Sequence, residues 1–199
     1  MKSSFFYLLA FVVRFFYLGY YKTVRLRVVN PEFSPRQIAP GLNVVYVTWH
    51  SKTFLLLPFC RGLRMGILTL LDWKNFFYDK LSRLFQYQTV PVTSVPRATI
   101  QLKRLLEKGC HVAIAVDGPK GPLGQIRPGA LYLAQKTKRP IVVTTVVAEK
   151  SYRIQKRWDR YEIPLPFTKA TVTFSPPIYV DLLNPRQTES KIREFLGAF

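Results

Sequence analysis

Three ionisable side chains follow apolar runs that are rich in β-branched residues. They are His50 after residues 42–48, Asp72 after residues 65–71 and Asp117 after residues 111–116. Apolar runs without a period of two are typical of strands that are buried on both faces of a parallel sheet. Because ligands bind beyond the carboxyl ends of such strands, we expect the three side chains to converge on one edge of the sheet.

The imidazole at this edge predicts general base chemistry. The ordinary pKa of histidine lies in the range that allows His50 to take a proton from an alcohol near neutral pH. A carboxylate on the other ring nitrogen would orient the base and stabilise its charged form, and both Asp72 and Asp117 are candidates. The alternative is that His50 is a structural histidine beside Trp49. We interpret His111 as structural, because it begins its strand at the opposite end of the sheet.

The string DGPKGP at residues 117–122 is the most distinctive local motif. Its glycines permit close approach of the backbone to a ligand, and its prolines stiffen the loop. Free amides and a lysine suit a phosphate or an oxyanion, and Arg97 at a predicted helix start adds a second cation. A rigid turn with solvated cations is the alternative. The predicted substrate-binding residues are Arg97, Asp117, Gly118, Pro119, Lys120 and Gly121.

The N-terminal residues 5–21 are apolar and aromatic apart from Arg14. The unbroken part is too short to cross a bilayer core of about 30 Å, and basic residues follow where a signal peptide would have its cleavage site. The pattern favours a retained helix in the membrane interface, with packing on the protein core as the alternative. The predicted membrane residues are Phe5, Phe6, Leu8, Leu9, Phe11, Phe15 and Phe16.

The charge of the chain is strongly positive. Its 199 residues include 30 Lys and Arg against 11 Asp and Glu, which gives a net charge of +19. Such a field attracts polyanions, and anionic lipid and nucleic acid are the two candidates. No nucleic-acid-binding motif is present, so we expect a lipid partner and no specific nucleic acid. The basic cluster Arg153, Lys156, Arg157 and Arg160 is predicted to contact headgroups or carrier phosphate, or else to be solvated.

The two cysteines, Cys60 and Cys110, follow neither the spacing of a metal site nor that of a disulfide framework. They are predicted to be buried thiols in a reducing compartment, and no metal is expected.

Alternating strands and helices predict an α/β fold with a mostly parallel, mixed sheet flanked by helices. The division is an N-terminal membrane-associating helix and basic flank over residues 1–30, followed by one α/β domain over residues 31–199. The predicted strands are 42–48, 65–71, 89–93, 111–116, 141–148 and 170–174, the last as an edge strand. The predicted helices are 52–59, 74–85, 97–108, 128–138 and 187–195.

Four strings in this order carry a resemblance to a known family: WHSKTFLLLPF, LDWKNFF, AIAVDGPKGPLGQIRPGALYLAQKTKRPIVV and WDRYEIPLPF. Together they resemble the short bacterial branch of the lysophospholipid-acyltransferase-like superfamily, a branch that includes lipid A secondary acyltransferases. The resemblance covers residues 42–180, and the third and fourth strings are its most specific parts.

The resemblance implies an enzyme that moves a fatty acyl chain from a thioester to a lipid hydroxyl. The donor would be acyl-carrier protein or coenzyme A, used as a co-substrate with no further cofactor. The acceptor would be a lipid A-type saccharolipid or a lysophospholipid, at the cytoplasmic face of the bacterial inner membrane. His50 matches the family histidine that acts as base, and the loop at residues 117–122 matches the block that contacts the acceptor.

One position departs from the wider superfamily, which pairs its histidine with an aspartate five residues later. Here that residue is Leu55, and in the short branch Asp72 fits the missing role. Two alternatives to an enzyme follow. One is a noncatalytic basic protein that binds anionic lipid or nucleic acid, and the other is a lipid-binding relative that has lost turnover.

Overall fold

The computed structural model describes residues 2–70, 73–118, 121–181 and 183–197, with the side chains of residues 2–5 and 73–76 left out of the description. The strands are β1 (Arg25–Val29), β2 (Val45–Thr48), β3 (Met65–Thr69), β4 (Gln88–Pro91), β5 (His111–Ala115), β6 (Ile141–Ala148), β7 (Ser151–Arg153), β8 (Glu162–Pro164) and β9 (Lys169–Phe174). The helices are α1 (Lys2–Thr23), α2 (Thr53–Phe59), α3 (Trp73–Leu84), α4 (Val95–Glu107), α5 (Gly129–Thr137) and α6 (Pro185–Leu196).

Within the described residues, seven strands form one sheet in the order β1-β9-β6-β2-β5-β3-β4. The five strands from β6 to β4 run parallel, as their apolar sequences predict. Strand β9 is antiparallel to β6 and pairs in parallel with β1. The predicted α/β fold with a mostly parallel mixed sheet flanked by helices is therefore confirmed.

The prediction of an edge strand at residues 170–174 is wrong. Strand β9 lies inside the sheet, because β1 pairs along its outer side with Arg25 opposite Lys169 and Val29 opposite Thr173. The alternation in β9 instead records which of its side chains are buried, namely Ala170, Val172 and Phe174. Alternation reports how the two faces of a strand are covered and not whether its edges are paired.

Two strand pairs were not predicted. Residues 25–29, expected as a basic flank, form the edge strand β1, whose exposed Arg25 and Arg27 are the kind of charged residue that protects a sheet edge. Strands β7 and β8 form a separate antiparallel hairpin that pairs Tyr152 with Ile163. The basic cluster at residues 153–160 begins at the end of β7 and runs through the connection of this hairpin.

Two hydrophobic layers cover the sheet. Helices α4, α5 and α6 bury side chains such as Leu106, Leu133 and Ile192 against one face. Helices α1, α2 and α3 pack on the other face, where Leu55 and Phe85 are fully buried. Helix α4 shows the expected spacing, since its buried residues recur every four positions.

Both cysteines are buried free thiols, as predicted. Burial raises the pKa of the Cys60 thiol to about 12. The Cys60 thiol therefore stays protonated at neutral pH.

Helix α1 confirms the predicted N-terminal helix, and one of its sides packs on the protein core. Its inner side is anchored by Ala10, which is fully buried, and by Tyr17, whose hydroxyl donates to the Phe54 carbonyl. Phe6 is half-buried, and the other described members of the predicted membrane set are exposed: Leu8, Leu9, Phe11, Phe15 and Phe16. Phe5 lies outside the described side chains. Membrane contact by this exposed face stays a prediction.

No helix within the described ranges has both the length and the apolar character needed to cross a bilayer.

Candidate active site

The carboxyl ends of β2 and β5 bring His50 and Asp117 together. These strands are neighbours, with Thr48 opposite Ala115, and each polar residue lies two positions beyond its strand pair. The backbone N–H of His50 donates to Asp117 Oδ1 over 3.0 Å. The carboxylate of Asp117 thus holds the main chain of His50 at the edge of the sheet. Asp72 lies outside the described residues, so its expected position stays a prediction.

Asp117 is a buried carboxyl group with an unusual pKa. Its exposed fraction is 0%, and burial raises its pKa to about 6, although the hydrogen bond from the His50 amide opposes the shift. Its second oxygen, Oδ2, is buried and has no hydrogen-bond partner among the described residues. Asp117 therefore changes charge nearer to neutral pH than an ordinary aspartate.

The imidazole of His50 lies in a mostly buried position on a 3-10 turn over His50–Lys52. Thr53 Oγ1 donates to the His50 carbonyl over 2.9 Å, which fixes the turn. Burial lowers the pKa of His50 below its ordinary value of 6.5, and the charge of Asp159 partly offsets that effect. The ring is therefore mainly neutral at pH 7, which is the form that accepts a proton. Its Nδ1 atom is buried and has no hydrogen-bond partner within the described parts of the chain.

Asp159 is a residue of this site that the sequence analysis missed. It is fully buried, and it pairs with Arg157 through two hydrogen bonds of 2.9 and 2.7 Å. Burial would raise the pKa of Asp159, but the bonds from Arg157 outweigh that effect and hold the pKa below its ordinary value. The Arg157 guanidinium also lies over the Tyr161 ring at 4.7 Å from its centroid. A carboxylate that is charged at pH 7 thus acts on His50 from the β7–β8 connection.

Trp158 links His50 to the glycine–proline loop. The centroids of the Trp158 and His50 rings are 5.5 Å apart. A Cβ atom built on Gly121 would lie only 2.7 Å from Trp158 Cε3. Gly121 has a φ of 73°, so both its backbone and its neighbour favour glycine. The close approach that the motif predicted is therefore made to an indole of the protein itself.

Two further residues of the predicted substrate-binding set, Gly118 and Arg97, lie at this side of the sheet. Gly118 has a φ of 68°, and Arg127 donates to the Gly121 carbonyl, which shapes the loop. Pro119 and Lys120 lie outside the described residues. Arg97 is exposed in the first turn of α4, which follows the carboxyl end of β4 at the same side of the sheet.

The basic cluster divides into two kinds of residue. Arg153 pairs with Glu162 over 2.9 Å, and Arg157 pairs with Asp159. Lys156 and Arg160 are exposed. Two of the four cluster residues therefore have partners within the protein. For the exposed pair, contact with headgroups or carrier phosphate stays a prediction.

The position that holds an aspartate in the wider superfamily is filled by the core. Leu55 is fully buried and lines a small cleft with Phe54, Val146 and Pro164. The ion pair of Lys52 with Glu162, at 2.7 Å, belongs to the same cleft. An apolar leucine cannot orient an imidazole, so any orienting carboxylate comes from another element.

His111 lies at the opposite end of the sheet. Its Nδ1 atom accepts the backbone N–H of Val44 over 3.3 Å, and its ring packs against Tyr46 with centroids 5.5 Å apart. These contacts use the imidazole to join β5 to the residue before β2.

Comparisons with known proteins support the fold. No family profile matches the chain. An uncharacterised protein of Rickettsia prowazekii (strain Madrid E) is 23% identical over 142 residues, which cover 68% of this chain and 64% of that protein. The match therefore spans less than two thirds of the relative.

A solved structure has the same overall fold. It is the crystal structure of the 1-acyl-sn-glycerophosphate acyltransferase PlsC from Thermotoga maritima, which aligns with a TM-score of 0.58 at 14% identity. The alignment covers 98% of this chain and 88% of the other. The two chains share an acyltransferase-like fold over almost the whole length described here.

Proposed function

We propose that this chain is an O-acyltransferase that moves a fatty acyl chain from a thioester donor to a hydroxyl of a lipid acceptor. The donor is acyl-carrier protein or coenzyme A, and the acceptor is a lysophospholipid or a lipid A-type saccharolipid. The observation that carries the proposal is the position of His50. A neutral imidazole lies at the carboxyl edge of a sheet whose fold is shared with a glycerophosphate acyltransferase.

The reaction needs one base and one site for developing negative charge. His50 takes the proton from the acceptor hydroxyl, and the oxygen attacks the thioester carbonyl. The tetrahedral oxyanion is stabilised by amides of the loop at residues 117–122 and by Lys120, an assignment that rests on the sequence. As the intermediate collapses, the C–S bond breaks and the His50 imidazolium returns its proton to the sulfur. No acyl-enzyme forms in this scheme.

Two carboxylates support His50 in different ways. Asp117 accepts the His50 backbone N–H and so places the residue. Asp159 has a pKa below the ordinary value, and its charge favours the imidazolium that forms during transfer. Both are positioning residues in this scheme, and Asp72 is left as the candidate for a direct bond to the ring.

The lipid acceptor places the reaction at a membrane surface. The exposed aromatic face of α1 suits the acyl boundary of a bilayer, and the charge of +19 suits anionic headgroups and an acidic carrier protein. These features support a peripheral position on the cytoplasmic face of the bacterial inner membrane.

Lipid mass spectrometry of cells tests the proposal. Cells that lack the gene are complemented with the wild type, with His50→Ala or with the matched control His111→Ala. We expect one lipid class to lose one acyl chain in the absence of the gene. The wild type and His111→Ala restore that chain, whereas His50→Ala does not. Restoration by His50→Ala would contradict the proposal and favour the noncatalytic lipid-binding alternative.

A further inference from the structure

A short apolar segment that begins at the last residue of β8 and leads toward β9 has no role in the proposed chemistry. It consists of Pro164, Leu165, Pro166 and Phe167 and is called here the PLPF loop. Leu165 is 41% exposed and Phe167 is 74% exposed, although leucine and phenylalanine are usually buried. Exposed apolar groups that are gathered at one place on a surface commonly mark an interaction site.

Both ends of the PLPF loop are fixed beside the C-terminal end of α1. The Tyr20 hydroxyl donates to the Pro164 carbonyl at the start of the loop. At its end, the Arg25 backbone N–H donates to the Thr168 carbonyl over 2.9 Å. Because Tyr20 and Arg25 flank the end of α1, the loop tip projects next to this helix.

The backbone of Phe167 adopts a conformation that is unusual for a phenylalanine. Its φ is 63°, in the left-handed region that favours glycine and is costly for a phenylalanine. The prolines on either side of Leu165 restrict the chain before it. A stiff loop therefore presents an aromatic ring to the surroundings at a position where glycine would suit the backbone better.

Exposed cations surround the loop. Leu165 N–H donates to the Lys150 carbonyl over 2.9 Å, so the exposed Lys150 lies beside the tip. Lys22 is exposed in the last turn of α1, and Arg25 is exposed just after this helix. Lys169, two residues beyond the loop, is exposed as well, but its Nζ atom lies 3.8 Å from the Glu149 carboxylate. An apolar tip within basic residues is complementary to an anionic bilayer, where rings enter the acyl boundary and cations meet the headgroups.

The exposed face of α1 continues this surface. Phe16 is 69% exposed and lies one helical turn before Tyr20, the residue that contacts the loop. We therefore propose that the PLPF loop is a second membrane-contacting element, which docks the chain on anionic lipid together with the aromatic face of α1. This inference rests on the membrane location in the proposed function. An acidic carrier protein would be complementary in charge to the cations. It would not offer a hydrocarbon phase into which the Phe167 ring could insert.

The test compares Phe167→Gly with Leu183→Ser by flotation with vesicles. Glycine relieves the left-handed backbone at position 167, so this variant keeps the fold. Leu183 is 97% exposed and lies just before α6, the helix on the opposite face of the sheet. On vesicles containing phosphatidylglycerol, we expect partition of Phe167→Gly to fall about 10-fold or more, which is the effect of withdrawing one phenylalanine from an apolar phase. We expect Leu183→Ser to partition as the wild type.

Equal partition of Phe167→Gly and wild type would overturn the inference, as would an equal loss in Leu183→Ser. A variant that loses affinity for acyl-carrier protein but keeps its vesicle partition would overturn it in favour of a carrier site. Transfer to a short-chain acceptor that is monomeric in water separates the two proposals. If the wild type transfers no acyl group but Phe167→Gly loses vesicle binding, the enzymatic proposal fails and the docking surface stands.

Discussion

The two histidines lie at opposite ends of one sheet, and burial lowers the pKa of both. At the amino end, His111 accepts a backbone N–H of a neighbouring strand and packs on Tyr46. At the carboxyl end, His50 is placed by Asp117 and is influenced by the ion-paired Asp159. Burial alone therefore does not distinguish a structural histidine from a candidate base.

The distinguishing feature is how the ring nitrogens and nearby charges are arranged. His111 Nδ1 accepts a structural hydrogen bond from the backbone, and burial lowers the pKa of the ring. His50 Nδ1 has no such bond within the described chain, and two buried acids act on the residue, Asp117 through the His50 backbone N–H and Asp159 through its charge. The carboxyl end can stabilise an imidazolium, whereas the amino end uses its imidazole for packing.

We expect the largest effect from replacing each histidine by glutamine. We expect His50→Gln to lower kcat/KM for acyl transfer by about 10²–10⁴-fold, because a general base contributes that much. His111→Gln should keep its transfer rate within about 2-fold, well below the effect of a general base. Steady-state assays with acyl thioester and lipid acceptor measure both values. Equal losses of kcat/KM in the two variants would contradict the assignment of different roles to the two ends of the sheet.

Asp159→Asn tests the smaller contribution of a positioning carboxylate. We expect transfer to slow by roughly 10–100-fold, by analogy with the loss of a carboxylate that orients a metal-bound histidine. In the proposed scheme we expect activity to rise with pH as His50 loses its proton, and the charge of Asp159 raises the pKa of His50. Removing that charge lowers the pKa, so the acid limb of the pH profile moves to lower pH.

The pH profile separates this role from a structural one. Asp79→Asn is the control, because Asp79 also pairs with an arginine, Arg83, over 2.9 Å on α3. That variant should leave the acid limb where it is in the wild type. An unmoved limb in Asp159→Asn would refute the assignment even if the rate falls.

Two glycines, one near each end of the sheet, are expected to differ in how much stability an alanine costs. Gly121 at the carboxyl end and Gly109 before β5 both have positive φ, 73° and 81°, but a Cβ meets Trp158 only at Gly121. Alanine at either site should cost about 1 kcal/mol of backbone strain, and at Gly121 roughly 1–3 kcal/mol more from overpacking. Chemical denaturation measures the difference. Equal losses of stability in the two variants would mean that the Trp158 ring shifts and accommodates the new methyl group.

Sequence reasoning found the part of the site that regular structure places. Parallel strands in register put His50 beside Asp117, and this follows from two apolar runs that each end in a polar residue. Asp159 was missed because it lies far along the chain, on a hairpin too short to show a strand pattern. The nearby arginines were interpreted as surface charge, although Arg157 forms an ion pair with the buried Asp159.

The errors in the predicted fold also arise from pairing between segments that are far apart in the chain. Strand β1 contains alternating arginines, so its sequence looks like a basic flank and not like a sheet edge. With that strand missed, β9 had no partner on one side and was predicted as the edge. Long-range pairing decides both assignments, and single-strand patterns do not encode it.

The proposed function requires that the site at the carboxyl edge of the sheet transfers an acyl group from a thioester directly to a lipid hydroxyl. A single-turnover experiment tests this step. Excess purified protein is mixed with a labelled acyl thioester and a lipid acceptor, and quenched samples are separated into thioester, protein and lipid. The account predicts that label passes from thioester to lipid ester without appearing on the protein. Label that accumulates on the protein before it reaches lipid would contradict it, as would a thioester that stays intact with every acceptor class.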